Sequence, residues 1–404
     1  MAAVLVTGGT ERAALATVRA LGRAGHRCYV CAAWQRPLAG ASRHCRGAAV
    51  VRDPLRDPPG FARDVATLVA RWNVEVVIPI TDACALALLP ERERLGALVP
   101  FPDLARFRDV CDKAAVLELA RQIGLAVPQQ RRLEHADDWN RVVPIAYPVV
   151  VKPHRSVTEG ASRTKLGVRH AAGPADLSAA LAALPPEAYP VLVQQRIVGP
   201  GEGVFLLLWG GEVRAAFSHR RLREKPPAGG VSVYAESIAP DPELLRAAVE
   251  LLRRCEWQGV AMVEFKRDAV TGTPYVMEVN GRLWGSLQLA IDAGVNFPVL
   301  LVAAALGRPA APLADYQVGV RSRWWWGDVD HLLARLLHSS TKLARPPGAP
   351  GRLAAALAFL AASFDPRSRD AVFRLGDPLP ALRETAAWLS ATLGVAGRRS
   401  TTLS

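Results

Sequence analysis

Apolar and polar positions alternate along Val260–Lys266, with Met262, Glu264 and Lys266 on one face and Ala261, Val263 and Phe265 on the other. Tyr275–Asn280 alternates too: Val276, Glu278 and Asn280 share a face, and Tyr275, Met277 and Val279 share the opposite one. Arg267–Pro274 between them holds Gly272 and Pro274, which is turn chemistry. The pattern predicts a β-hairpin. A turn centred near residue 271 puts Glu264 across from Glu278, and residues directly opposite share a face.

The rest of the chain divides by the same logic. Ala3–Val6, the turn Thr7-Gly8-Gly9-Thr10, a helix over Glu11–Ala24 and a strand over Arg27–Ala33 predict a parallel βαβ opening. A helix over Phe61–Trp72 leads to an apolar strand, Val74–Ile80, that ends at Thr81-Asp82. Ligands bind beyond such strand ends, so Thr81 and Asp82 are candidates for a substrate amine; capping the next helix is an equal alternative. One helix is predicted over Asp109–Gly124. Strands follow at Tyr147–Pro153, Leu166–His170 and Pro190–Ile197, then a hairpin of Val204–Trp209 and Glu212–Phe217 through Gly210-Gly211. Helices are expected at Pro242–Cys255, Leu283–Ala293, Asn296–Leu306 and Val329–Leu343, the last with His331, Arg335, His338 and Lys342 on its polar side. Trp324-Trp325-Trp326 reads as strand residues that anchor the tail, Ser363–Leu393 as a helical tail, and Gly397–Ser404 as a disordered end.

Composition narrows the class. A chain of 404 residues, half of them apolar, has room for two or three domains. The longest tempting apolar run, Leu353–Phe364, has 12 residues, and no basic segment opens the chain, so neither an integral membrane segment nor a signal peptide is expected. The formal charge is +13, yet only six of the 50 basic residues are Lys and the Arg are scattered without interleaved aromatics, which argues against a nucleic-acid partner. Six Cys make no disulfide framework in a chain this long. Cys28-x-x-Cys31 near His44 and Cys45 resembles zinc spacing, but i and i+3 of a strand face opposite ways, so buried free thiols in a reducing, cytoplasmic compartment are expected.

The candidate chemistry sits on the hairpin. Two carboxylates and an amide oxygen on one face are hard donors that suit Mg²⁺ with room for phosphate oxygens; an ordinary exposed acidic face is the bland alternative. Arg282 follows two residues later as an anion holder. Lys152 ends a strand, where a compact, rotatable charge suits a phosphate. The basic segment His219–Ser232 reads as a loop, with Arg221 and Arg223 as candidates for a substrate carboxylate or an acyl-phosphate. The Gly turn at Thr7–Thr10 suits an anion, but it is not G-x-G-x-x-G and no acidic residue ends the second strand, so a nicotinamide reading is weak.

The residues VEF … MEVNGR resemble the metal-binding end of the ATP-grasp superfamily, and GVAMVEFKRD … PYVMEVNGRLWGSLQLAIDAGVNFP resembles its carboligases related to carbamoyl-phosphate synthetase and the carboxylate–amine ligases. The pattern Asp112-Lys113 … Gly124-x-x-Val127-Pro128 resembles that family's entry, where the Lys meets nucleotide phosphate. The resemblance implies an α/β and α+β fold: a parallel-sheet pre-ATP-grasp domain over 1–105, two ATP-grasp subdomains over 106–192 and 193–310, and a mainly helical extension over 311–404. It implies that Glu264, Glu278 and Asn280 hold the metal, Mg²⁺ or Mn²⁺. It further implies that Lys113 and Lys152 meet ATP, that Gln194, Gln195, Arg196 and Ile197 form the adenine hinge, and that Glu202 meets ribose. His154–Lys165, with Gly160, would be the phosphate lid, and Arg282, Arg223 and Arg221 would act on the reacting groups. The implied activity joins a small-molecule carboxylate to an amine through an acyl-phosphate, releasing ADP, in a chain whose superfamily often forms homodimers. The alternatives are a catalytically silent ATP-binding scaffold and a nicotinamide-dependent oxidoreductase.

Overall fold

The computed structural model describes residues 1–141, 145–158, 163–308, 310–313, 315–339, 343 and 349–394. Gly160 of the expected lid, Lys342 and the end 397–404 lie outside the described residues. The chain opens with four parallel strands, β1 (Ala3–Val6), β2 (Arg27–Ala32), β3 (Cys45–Val50) and β4 (Val76–Ile78), in the order β3-β2-β1-β4. Both faces of this sheet are covered, which is why β1 is apolar at every position: Val4 and Val6 join one core cluster and Leu5 joins another. Cys28 and Cys31 are buried free thiols in β2. Thr81 caps the helix Asp82–Leu88 by accepting a bond from the Cys84 N–H at 3.2 Å.

The helix expected over Asp109–Gly124 is two helices, Leu104–Cys111 and Lys113–Gln122. Asp112 breaks them apart with an extended backbone, and its carboxylate accepts from the Ala114 and Ala115 N–H groups as the cap of the second. Apolar periodicity runs through the break, and local Asp capping competes with it. An antiparallel sheet follows, built from β5 (Gln130–Leu133), β6 (Val149–Pro153), β7 (Arg169–Ala171) and β8 (Val191–Gln195), in the order β5-β8-β6-β7. The crossing from β8 depends on Gly199, where a Cβ would lie 1.8 Å from the Arg267 carbonyl oxygen.

Seven strands make the largest sheet: β9 (Gly201–Trp209), β10 (Glu212–Lys225), β11 (Val231–Ser237), β12 (Gly259–Arg267), β13 (Pro274–Asn280), β14 (Arg321–Arg323) and β15 (Ser368–Asp370), ordered β13-β12-β9-β10-β11-β14-β15. The β12–β13 hairpin pairs Glu264 with Glu278 and Met262 with Asn280, the register expected from the sequence. Strict alternation fails at one point. Phe265 pairs with Val276, so Met277 is an extra residue in a β-bulge. Val276 therefore turns into the core with Phe265 and Val279, away from Glu278, and Met277 turns with Glu278 into the cavity described below.

The segment expected as a basic loop is mostly strand. β10 runs to Lys225 and only residues 226–230 connect it to β11. The C-terminal region is mainly helical, yet it adds β14 and β15 to the sheet. The tryptophans are not strand residues: Trp324 precedes and Trp325 opens the helix Trp325–Leu337. They do anchor the tail. Trp326 stacks on Trp388 at 4.1 Å, and the Trp324 indole N–H donates to Glu384 at 2.8 Å in the helix Leu379–Thr392.

Candidate active site

Between the antiparallel sheet and the hairpin lies a cavity of about 300 Å³. Val150 and Lys152 of β6, His170 of β7, and Arg196 and Ile197 just past β8 line one end. Met262, Glu264, Met277, Glu278 and Asn280 form its hairpin wall, and Arg12, Arg282, Trp284 and Ser286 line the far end. Met277 reaches this wall only because of the bulge. A strand that alternated throughout would turn it into the core.

Glu264 and Glu278 face each other and would repel, so each is held by different cations. Arg221 grips Glu264 with Nη2–Oε2 at 2.5 Å and Nη1–Oε1 at 3.0 Å, and also bonds Glu224 at 2.9 Å. Lys113 stands 3.4 Å from Glu278 and bonds Ser156 at 3.0 Å, from a smaller cleft on the other side of the carboxylate. Burial raises Glu264, with Arg221 opposing it. Burial also works against an ionised Glu278, but Lys113 and Lys152 outweigh it and bring that carboxyl down to about 2. Burial pushes the Lys152 ammonium down to about 8, with Glu278 and Glu264 opposing the shift.

At the hinge the expectations divide. Ile197 and Arg196 reach the cavity. Gln194 is fully buried and its Nε2 donates to Gln130 at 3.1 Å, while Gln195 accepts from the Gln129 N–H at 3.4 Å. Glu202 does not line the cavity; Arg267 clamps it with three contacts of 2.8 to 3.1 Å. His170, which sequence reasoning missed, lines this end as a neutral ring that burial and then Arg196 lower to about 4, and its Nδ1 has no partner among the described residues. A lone histidine on a short strand carries no sequence signal of this placement.

Arg223 is not part of the site. Its guanidinium forms a fork on Asp328 at 2.5 and 2.6 Å and lies 4.6 Å from the Tyr234 ring centre. The reason is a register irregularity on both sides of Arg223 in β10: Arg221 and Glu224 point to the cavity, and Arg223 points to the helix Trp325–Leu337. In the loop expected from the sequence, the two arginines were indistinguishable.

Arg282 approaches Asp82 at 3.2 Å and the Asn280 amide oxygen at 3.4 Å. The first sheet thus delivers Asp82 to the hairpin, as the strand-end rule anticipates. Ser286 sits 3.4 Å from the ring of His219, a buried histidine whose burial holds it neutral. Arg12, also missed, enters from the helix Arg12–Arg23, and its guanidinium lies 4.0 Å from the Trp324 ring centre.

The donor set fits a hard divalent cation. Two opposed carboxylates and one amide oxygen are the ligand types Mg²⁺ takes, and Glu278 is ionised without metal, so binding there displaces no proton. Arg221 already neutralises Glu264, so a cation held there would share that carboxylate with the guanidinium.

Residues 187–325 match a family model described as ATP-grasp in the biosynthetic pathway with Ter operon. That stretch runs from β8 through the hairpin to β14. No curated protein sequence matches the chain. Among solved structures, it is similar to an L-amino acid ligase from Bacillus licheniformis, with 18% identity, TM-score 0.61, and coverage of 78% of this chain and 76% of that one. It is also similar to the biotin carboxylase domain of the Hydrogenobacter thermophilus 2-oxoglutarate carboxylase, solved with MgADP, ADP and bicarbonate: 17% identity, TM-score 0.62, coverage 79% and 73%. A third is N5-carboxyaminoimidazole synthetase from Staphylococcus aureus, at 13% identity and TM-score 0.60, covering 79% of this chain and 80% of that one. At these identities the likeness shows the fold, which is that of ATP-grasp proteins.

Proposed function

We propose that this ATP-grasp chain is an ATP-dependent carboxylate–amine ligase that forms an amide through an acyl-phosphate and releases ADP and phosphate. One observation carries the reading: Glu264 and Glu278 face each other on the wall of a cavity that has Lys152, Arg196 and Ile197 at one end and Arg282 and Ser286 at the other.

The nucleotide lies with its base against Ile197 and the backbone leaving β8, and with its phosphates toward Lys152 and Arg196. Glu264, Glu278 and Asn280 would hold Mg²⁺, which when bound would offset the charge that builds on the transferred group. Arg282 steadies the substrate carboxylate as one of its oxygens attacks the γ-phosphorus and ADP leaves. The amine nitrogen then attacks the acyl carbon, phosphate departs, and the nitrogen loses a proton. Asp82, which already holds Arg282, is the nearest carboxylate from the first sheet and keeps that guanidinium in place. Phosphoryl transfer asks for positioning and cationic stabilisation more than for a protein nucleophile, which suits a site rich in Lys and Arg.

The resemblance to an L-amino acid ligase structure favours amino acids as first substrates to try. One observation favours a catalytically silent ATP binder instead: Arg221 occupies both oxygens of Glu264. Release of ADP by purified protein with Mg²⁺ and ATP, screened against pooled amino acids and small carboxylic acids, separates the two. Release that requires one acid and one amine and is lost in Glu278→Gln supports the ligase. ATP binding without acid-dependent ADP release from any pool sinks it.

A further inference from the structure

At the far end of the cavity the positive charges are matched, with one exception. Arg282 is 3.2 Å from Asp82, and Arg221 lies against Glu264 and Glu224. Arg12 has no carboxylate within 4.0 Å among the described residues. Its contacts are the Ser232 carbonyl oxygen at 3.4 Å and the face of Trp324. Burial pulls its guanidinium down to about 10 despite the more distant Glu384, Glu11 and Asp370.

A guanidinium taken out of water without a counter-ion is costly, and a fold that keeps one there gains when a ligand supplies the anion. The Trp324 ring face and the Ser232 carbonyl engage part of the guanidinium and leave its other N–H donors for another partner. The fork of a guanidinium matches the two oxygens of a carboxylate. Gly285 leaves the space for it: a Cβ there would stand 3.1 Å from Arg12 Nη2.

Resting on the ligase reading, we infer that Arg12 binds a substrate carboxylate that the reaction does not consume. That carboxylate belongs either to the amine substrate, as the α-carboxylate of an amino acid, or to the activated acid, as a second carboxylate. Arg12 is then a specificity residue supplied by the first sheet's helix, with Trp324 of the C-terminal region packed against it.

Calorimetric binding in the presence of Mg²⁺ and a non-hydrolysable ATP analogue tests this with matched pairs: L-alanine against L-alaninamide, and L-glutamate against L-glutamine. The expected result is that Arg12→Gln weakens the carboxylate member of one pair by at least about tenfold and leaves its amide partner and the ATP analogue unchanged. Gly285→Ala, which crowds the guanidinium, weakens the same member by a smaller factor. An effect on alanine assigns the α-carboxylate; an effect confined to glutamate assigns a second, side-chain carboxylate. Equal binding of all probes by wild type and Arg12→Gln overturns the inference, and so does a wild type that binds the analogue but none of the four probes. Arg12-dependent binding without ADP release from any acid and amine pair strikes the ligase reading and leaves the carboxylate site standing. Unchanged binding of the analogue shows that the variant is folded.

Discussion

Arg221 holds Glu264 through two contacts of 2.5 and 3.0 Å, and this pair lets a second carboxylate, Glu278, stand directly opposite. The guanidinium thereby does part of what a divalent cation would do on the proposed reading. Three side chains, Arg221, Glu264 and Glu224, share one buried network.

Arg221→Met leaves Glu264 and Glu224, both mostly buried, without their shared cation, with only Lys266 left 3.8 Å from Glu224. A loss of about 3–5 kcal/mol is expected in chemical denaturation without metal. Added Mg²⁺ and nucleotide recover part of that loss, because they supply the missing positive charge to Glu264. A variant as stable as wild type without metal would refute the network's role.

Arg223→Met separates structure from chemistry. Asp328 is fully buried and keeps Arg323 at 2.6 Å after the substitution, so the loss is smaller, about 1–3 kcal/mol. Nucleotide affinity stays at the wild-type value. A selective loss of nucleotide binding with unchanged stability would return Arg223 to the active site.

On the proposed reading, Lys152 should set a pH limit on nucleotide binding. Its free-protein pKa is pushed down to about 8 by burial, and bound phosphates favour its charged form. Below about pH 8 the ammonium is already present; above it, binding must take up a proton, so affinity falls as pH rises. Titration calorimetry across that range should show the fall. Lys152→Met should bind more weakly and without that dependence.

Glu384 couples the tail to pH. Burial raises its carboxyl from 4.5 to about 7 against the opposing pull of Trp324 and Arg12. The folded state therefore holds a proton that the unfolded state releases. This stabilisation is fully present below about pH 4.5 and is lost as pH rises through about 7, amounting to on the order of 3 kcal/mol. Glu384→Gln should flatten that decline in denaturation midpoints measured across the range; an unchanged slope would exclude Glu384 as its source.

Some of this is written in local order along the chain. Two alternating runs about one turn apart determine a hairpin, and the turn's position determines that Glu264 meets Glu278, because a strand's period of two leaves little freedom in register once one face is buried. The apolar β1, the Gly turn and the following helix likewise determine a parallel opening. The tertiary structure decided the rest. Two local irregularities, the bulge at Met277 and the break in register around Arg223, sent side chains to faces that period counting does not give, because a bulge is settled by pairing with a neighbouring strand. Arg12, His170 and Glu384 are distant from the hairpin in sequence and carry no pattern of their own. Packing of the helix Arg12–Arg23 on the helices Leu287–Asp292 and Phe297–Ala305 brings Arg12 under Trp324, and the loss of water there gives a plain surface-type arginine its unmet charge.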